Sequence, residues 1–344
     1  MRSGQKRTRR FLAIALALAV GVSTAAAGCS SGGGDDRLYI RSGRTKNLIG
    51  PLLDKYAEET GTKIDVRYGD SADLALLTDE EGDRTKVDVF ISQSPGAVGF
   101  LDAKGMLSEL PQNVVDEVPE GDAADDGHWV GLSGRVRTLV YNTDLIDPAD
   151  LPDSVLDLAD PQYAGQVAVA PSNGSFQDFV TVLRTHVGEQ ETADFLKALA
   201  DGDAPTFSDN TAIVEAVGRG EVPMGLVNHY YAYVAKAENP DLPVENHFFP
   251  AGDYGSTLLV TAASIVDGTD RPDEAEQFVE FLLSPESQQY FGDQTFEYPL
   301  ASGAEAADEL PPFEDVTATR VDLGALGSGL EATAEMIDAS GLHS

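Results

Sequence analysis

The stretch VPMGLVNHYYAYVAKAE, residues 222–238, is typical of a buried strand that runs through a tight turn into a helix. Its first part is a short apolar run, and the nine residues from the tyrosine pair onward are long enough for a helix. The same unit recurs as RLYIRSG before KNLIGPLLDKYAEETG, and as QVAVAPSNG before SFQDFVTVLRTHV. Repeated strand–helix units predict an α/β fold with mainly parallel sheets, whose ligands bind beyond the carboxyl ends of the strands.

Two helix boundaries can be predicted from local signals. Apolar residues recur at helical spacing in KNLIGPLLDKYAEETG, and Gly61 is placed to end that helix. The segment DEAEQFVEFLLSPESQQYF predicts two helices with a break at Pro285. From about residue 303 the chain is acidic and Ala-rich with little periodicity before ATAEMIDASG, which predicts a tail on the surface.

The formal net charge is −35, with 58 acidic and 23 basic residues. Such a surface repels nucleic acid and anionic membranes and attracts cations, so nucleic acid is excluded as a partner. Adaptation to high salt explains the same charge equally well. The net charge therefore excludes nucleic acid and favours cations, but it does not identify the ligand.

The first 28 residues have the layout of a secretory signal peptide, with a basic start, an apolar core and a small-residue end. Cys29, at the end of AAGC, resembles the lipidated cysteine of a bacterial lipoprotein, and residues 29–36 read as a flexible tether. A short transmembrane anchor is the alternative, but the small residues before Cys29 favour cleavage. We expect an extracytoplasmic protein anchored to the outer face of the cell membrane through Cys29.

The adjacent phenols Tyr230 and Tyr231 have two interpretations. They can pack as an aromatic cluster with Tyr233, or they can bind a hard cation. At the junction of a strand and a helix, neighbouring side chains can converge on one point, whereas within a strand they face opposite sides. A ligand role requires that a highly charged ion displace the phenolic protons, whose ordinary pKa is near ~10.

The sequence carries no G-x-S-x-G, H-E-x-x-H or P-loop motif, its single cysteine is Cys29, and its five histidines lack metal-ligand spacing. We therefore predict a protein that is not an enzyme.

Four blocks together resemble the ferric-ion-binding proteins of bacterial ABC transporters: SGRVRTLVYNTDL, SVLDLADPQYAGQVAVAPSNGSF, AIVEAVGRGEVPMGLVNHYYAY and FEYPL. The resemblance covers the chain from about residue 38 to 300. It implies a class II periplasmic-binding-protein fold, with two α/β lobes, hinge strands and a ligand cleft between the lobes. Lobe 1 would comprise residues 37–132 with a return segment at about 240–290, and lobe 2 residues 133–239 with a C-terminal segment at about 291–344.

The resemblance also implies a site. Tyr230 and Tyr231 match the metal ligands of the family, which hold Fe(3+) together with a synergistic anion such as phosphate, carbonate or citrate. Further cleft contacts are implied at Thr45, Arg44 and Gln93. The matching anion-binding positions are Asn173, Gly174, Ser175, Asn210, Asn228, Ser94 and Arg135.

The chain departs from the family where relatives place further ligands. Thr45 replaces a histidine of some relatives, Gln93 replaces a glutamate, and Phe176 replaces a tyrosine. Two phenolates and an amide do not complete an octahedral shell, so a bound anion, a chelator or water would supply the rest.

The predicted function is that of a monomeric solute-binding lipoprotein. It would deliver ferric iron to an ABC permease with its ATPase subunits. The alternative is a binding protein of the same fold that takes an oxyanion or another small solute without iron.

Overall fold

The computed structural model describes residues 37–316, 319–321 and 324–343, so the predicted signal peptide, Cys29 and the whole tether lie outside the described residues. Within them, no helix combines the length and the apolar character needed to cross a membrane. The strands are β1 (Arg37–Ser42), β2 (Lys63–Tyr68), β3 (Val89–Ser92), β4 (Leu107–Ser108), β5 (Val130–Asn142), β6 (Val167–Ala168), β7 (Met224–Asn228), β8 (Val244–His247), β9 (Leu258–Val266) and β10 (Tyr298–Pro299).

Helices alternate with these strands along most of the chain, as the sequence predicts. They are α1 (Lys46–Thr60), α2 (Ser71–Glu81), α3 (Pro95–Ala103), α4 (Gln112–Val115), α5 (Gly174–His186), α6 (Glu189–Asp201), α7 (Asn210–Gly218), α8 (Tyr230–Glu238), α9 (Pro272–Leu283), α10 (Pro285–Thr295), α11 (Phe313–Val316) and α12 (Leu330–Ser340). A 3₁₀ helix, Gly324–Gly329, precedes α12.

The long strand β5 joins two sheet regions. Up to Val136 it pairs with β9, and from Arg137 onward it pairs with β7 and β8. The first sheet region comprises β1–β4, β9, β10 and the first half of β5, and the second comprises β6–β8 and the rest of β5. The central strand order is β2-β1-β3-β9-β5-β7-β6. The crossing from one region to the other therefore falls between two neighbouring residues of a single strand.

The sheets are mixed, and the prediction of mainly parallel pairing is wrong. β1 pairs parallel with β2 and β3, and β6 pairs parallel with β7. The pairings of β5 and β9 are antiparallel. Alternation of strands and helices predicts parallel strand pairs. β5 and β9 instead run antiparallel to their neighbours in the centre of the sheet. Local periodicity predicts that a strand forms, but it does not encode the direction in which the strand crosses the sheet.

The division into lobes at the predicted residues stays a prediction. Separate apolar cores lie beside the two sheet regions. β8 pairs within the second region although it lies after residue 240, and β10 pairs within the first although it lies after residue 291.

Both predicted helix boundaries are confirmed. α1 ends at Gly61, which adopts a left-handed conformation with φ 75° and donates its N–H to the carbonyl of Ala57. The segment around Pro285 forms α9 and α10, with Ser284 between them in an extended conformation and its side chain capping α10.

The prediction of a surface tail is wrong for the last part of the chain. Leu326, Ile337 and Leu342 are buried, and the 3₁₀ helix packs on α3 while α12 packs on α5 and α6. Isolated apolar residues in short turns leave too little periodicity for this packing to be predicted from sequence.

Candidate functional site

Tyr230 and Tyr231 open α8 directly after β7, with His229 between the two elements. Their rings are stacked, with centroids 4.1 Å apart and an interplanar angle of 28°. Tyr230 is 1% exposed and Tyr231 is partly exposed. The structure thus brings the two phenols together at the strand–helix junction, as the sequence predicts.

The first sheet region reaches this pair through Gln93, which follows β3. The Gln93 Nε2 donates a hydrogen bond to the Tyr230 hydroxyl at 2.9 Å. The amide Oε1 of Gln93 is buried and accepts no hydrogen bond within the described part of the chain. An oxygen acceptor is therefore left free next to the phenol.

Burial raises the pKa of Tyr230 well above its ordinary value of 10, and Tyr231 and Glu297 raise it further. The charge of Arg135 acts in the opposite direction. Tyr230 is therefore a neutral phenol at physiological pH until a strong cation displaces its proton. A weakly charged ion is a poor competitor for such a proton.

Arg44 is fully buried and pairs with Glu297, which precedes β10. The Arg44 Nη1 lies 2.9 Å from Glu297 Oε2 and donates to Thr261 Oγ1 at 2.8 Å. Burial alone raises the pKa of Glu297, but the adjacent Arg44 and Arg135 bring it below its usual range. Glu297 is thus a buried carboxylate between two arginines, and its role was not predicted from the sequence.

Arg135 and Arg137 lie two residues apart on β5, so they share one face of the strand where it passes between the sheet regions. Arg135 donates to the backbone carbonyls of Gln93 and Val260. Arg137 donates to Ser175 Oγ at 3.3 Å. Burial lowers the pKa of Arg137 to about 9, and the neighbouring Arg135 lowers it as well.

Six guanidinium nitrogens of these arginines are buried and donate no hydrogen bond within the described residues. They are Arg44 Nε and Nη2, Arg135 Nε and Nη1, and Arg137 Nε and Nη2. Buried N–H groups are costly unless they are bonded, and charged ones more so. These donors are suited to an anion. We call Tyr230, Tyr231, Gln93 and the three arginines the tyrosine–arginine site.

Most of the predicted anion contacts form one hydrogen-bonded network. Asn173 caps α5, and its Oδ1 accepts from the Ser175 N–H at 3.1 Å and from Asn210 Nδ2 at 3.1 Å. Asn210 also donates to Ser175 Oγ at 3.2 Å. Asn228 Oδ1 accepts from Arg137 at 3.1 Å. The network thus connects the predicted turn to an arginine that the prediction did not include.

Gly174 and Ser94 face each other from the two sheet regions. A Cβ on Gly174 would lie 3.5 Å from the Ser94 Cβ. The Ser94 hydroxyl donates to Asp178 Oδ1 at 2.8 Å instead of to the turn at Asn173. Asp178 lies on α5 and carried no sequence signal, because a single acid within an apolar helix resembles any other polar position.

Thr45 is the predicted contact that lies apart from the others. It occupies the N-cap position of α1, where its side chain is exposed and makes no capping hydrogen bond. Its neighbour Arg44 points into the site.

His229 and Tyr141 are packed in the core. The His229 ring stacks on Tyr298 with centroids 5.1 Å apart, and its Nδ1 accepts from the Val136 N–H. Burial lowers the pKa of His229 to about 4. Tyr141 is 7% exposed and belongs to the core of the second sheet region.

Open cavities occur elsewhere on the molecule. One of about 800 Å³ is lined by Gln289, Asp293 and residues 303–309, and another of about 290 Å³ lies between residues 158–167 and 198–204. Tyr230 and the three arginines of the tyrosine–arginine site are buried, whereas Tyr231 and Gln93 are partly exposed. A ligand therefore needs the surrounding segments to separate before it enters.

A group of metal-type ligands also lies outside this site. Asp102 and Asp126 both approach Nδ1 of His128, at 2.5 and 3.2 Å. A hydrogen bond between Nδ1 of His128 and Asp102 accounts for this geometry.

The family model for bacterial extracellular solute-binding proteins matches residues 84–322. The chain belongs to this family, whose members bind solutes and are not enzymes, as predicted.

Among individual proteins, the chain is similar to several that are named for ferric iron. The chain is 27% identical to the Fe(3+)-binding periplasmic protein of Serratia marcescens, over 96% of this chain and 96% of that protein. It is 29% identical to the major ferric iron-binding protein of Neisseria meningitidis serogroup A, over 86% and 90%. The crystal structure of iron-bound HitA from Pseudomonas aeruginosa matches with a TM-score of 0.85 and 30% identity, over 89% of this chain and 99% of that one. The predicted periplasmic-binding-protein fold is thereby confirmed.

Proposed function

We propose that this protein captures ferric iron outside the cytoplasm and delivers it to an ABC permease with its ATPase subunits. One observation carries the proposal: two stacked phenols lie next to three buried guanidinium groups, six of whose nitrogens donate no hydrogen bond within the described residues. The relatives named for ferric iron support it.

Tyr230 and Tyr231 would be the metal ligands. Fe(III) is a hard cation that prefers anionic oxygen, and a bound trivalent ion stabilises phenolate over phenol. The free Oε1 of Gln93 would be a further oxygen donor, available after a small rotation of the amide. Since no carboxylate is hydrogen-bonded to the pair among the described contacts, the remaining ligands would come from the cargo itself.

A companion anion would complete the site. Three buried guanidiniums are opposed by the paired carboxylate of Glu297 and by Asp178, whose charged form burial disfavours, and iron with two phenolates adds a further positive charge. Phosphate, carbonate or citrate would supply negative charge and oxygen ligands together. The predicted contacts at Asn173, Gly174, Ser175, Asn210 and Asn228, joined by Arg135, would bind this anion, and Arg137 adds a donor to them.

The protein would act as a monomer tethered through lipidated Cys29 to the outer face of the cell membrane. The signal-peptide pattern before Cys29 supports this placement.

A second candidate is binding of an oxyanion or another anionic solute without iron. The six guanidinium nitrogens without a partner among the described residues favour it, because an anion would satisfy them whether or not a metal is present.

The experiment is a visible-absorption titration of the mature, exported protein with ferric citrate, with and without added phosphate. Tyrosinate ligation predicts a charge-transfer band that saturates at one iron per protein. A Tyr230→Phe/Tyr231→Phe variant removes both hydroxyls and keeps both rings, so the band is expected to vanish. Tyr233→Phe, on the same helix, is the matched control and is expected to keep it.

A protein that stays colourless with iron but gains thermal stability from phosphate or citrate contradicts ferric binding and supports the second candidate.

A further inference from the structure

The N-terminus of α3 is capped by a residue from another helix. Ser94 occupies the N-cap position, where a serine commonly bonds to the next turn of its own helix. Here the Ser94 side chain makes no such bond, and its hydroxyl donates to Asp178 on α5 at 2.8 Å. The first free N–H groups of α3 thus remain available to an outside acceptor.

Asp178 is that acceptor. It is fully buried, and its Oδ1 also accepts from the Gly96 N–H at 3.3 Å. A carboxylate at this position satisfies an unpaired donor and interacts favourably with the positive end of the helix dipole. The same oxygen therefore bonds a side chain and a backbone group of α3.

Gly96 fits this contact because it has no side chain. A Cβ at Gly96 would lie 2.7 Å from Asp178 Oδ1 and 3.0 Å from Leu330 Cδ2. Contacts below 3.0 Å force the neighbour to move, and Asp178 lies on a packed helix. An alanine here would displace the Asp178 carboxyl from the Gly96 N–H without entering the tyrosine–arginine site.

The two helices belong to different sheet regions. α3 packs on β3 and β9, whereas α5 packs on β7, α6 and α12. Ser94 directly follows Gln93, whose amide bonds the Tyr230 hydroxyl. The capping contact therefore lies one residue from the point where the first sheet region meets the phenol pair.

We propose that Asp178 is a positioning residue that holds the two sheet regions closed around the cargo through Ser94 and Gly96. This inference rests on the proposed function of the tyrosine–arginine site. The charged groups that act on Asp178 are Arg135 and Arg137 on β5 and Asp70 before α2. The side of Gly96 next to α12 is occupied by the apolar Leu330.

The test measures iron release from the loaded, mature protein after mixing with excess chelator. Asp178→Ala and Gly96→Ala are expected to release iron at least about tenfold faster, since each disrupts the buried hydrogen bonds between Asp178 and the start of α3. The wavelength of the tyrosinate band is expected to stay unchanged, because neither variant alters a ligand. Asp178→Asn keeps an oxygen acceptor, so its rate of iron release is expected to be close to that of the wild type.

Thr181→Val is the matched control. Thr181 is a buried polar residue on the same helix, and its hydroxyl bonds Thr333 on α12 and not α3. This variant is expected to lower the melting temperature and leave the release rate unchanged. Equal release from the wild type, Asp178→Ala and Gly96→Ala would overturn the proposal.

Small-angle X-ray scattering separates this proposal from the proposed function. With phosphate or citrate as the probe, the wild type is expected to be more compact than Asp178→Ala and Gly96→Ala. If the wild type shows no iron band, ferric binding fails and the scattering comparison alone decides whether Asp178 holds the regions closed.

Discussion

Asp178 and Arg137 illustrate at the residue scale how burial decides protonation in this protein. Burial is the main cause that raises the pKa of Asp178 to about 7 and lowers the pKa of Arg137 to about 9. Both shifts disfavour the charged form. Keeping Arg137 charged in its buried position therefore costs free energy, which an anion bound beside it would offset.

The Asp178 shift predicts a pH dependence of stability. Between the ordinary pKa of 3.8 and about 7, the folded state keeps a proton that the unfolded state has lost, so stability falls as pH rises through this window. Asp178→Asn has no such proton. Its melting temperature relative to the wild type is expected to increase from pH 4 to pH 7 and then to level off.

Differential scanning calorimetry of the cargo-free proteins measures this difference. Asp241→Asn changes an exposed aspartate and serves as the control for loss of one negative charge. A constant difference between Asp178→Asn and the wild type from pH 4 to pH 8 would contradict the raised pKa.

The elements of the fold follow local sequence signals closely. α1 starts after Thr45, buries one apolar face and ends at Gly61, and the break between α9 and α10 follows from Pro285. These boundaries could be predicted because helix periodicity, glycine and proline act on the backbone within a few residues.

Gly61→Ala tests the helix end. Gly61 has φ 75° and open space around its Cα, so an alanine meets backbone strain and no clash. The substitution is expected to lower the free energy of unfolding by about 1 kcal/mol. Urea denaturation measures the change. Gly61→Asn is the control, because asparagine tolerates this conformation better, and equal loss from both variants would contradict the explanation.

At the scale of the whole molecule, the C-terminal segment joins parts of both sheet regions. The 3₁₀ helix Gly324–Gly329 packs on α3, and α12 packs on α5 and α6. Arg184 on α5 donates to the Gly329 carbonyl at 2.8 Å and to Thr333 at 2.7 Å. The segment thus lies beside the helix pair that Asp178 connects.

Deletion of residues 324–344 is expected to destabilise the fold. It removes the buried side chains of Leu326, Ile337 and Leu342, each worth about 1.5–3 kcal/mol when fully buried. A loss of at least about 4 kcal/mol in the free energy of unfolding is expected from urea denaturation. Deletion of residues 343–344 alone is the control. A long deletion that leaves stability unchanged would restore the interpretation of this segment as a surface tail.

The sequence by itself determined the order of strands and helices, the strand–helix junction at Tyr230 and Tyr231, and the end of α1 at Gly61. Each follows from apolar periodicity or turn chemistry over a few residues. The resemblance of the sequence blocks to the ferric-ion-binding proteins predicted the periplasmic-binding-protein fold and most members of the polar network around Ser175.

Only the tertiary structure decided the direction of β5 and β9 and the partners of the buried charges. Arg44 meets Glu297 across 253 residues of chain, and Ser94 meets Asp178 across 84. The same folding turned Thr45 toward solvent and joined Arg137 to the predicted anion contacts. A local pattern specifies which face of an element is buried, but the partner of a buried polar group depends on which elements the folded chain brings together.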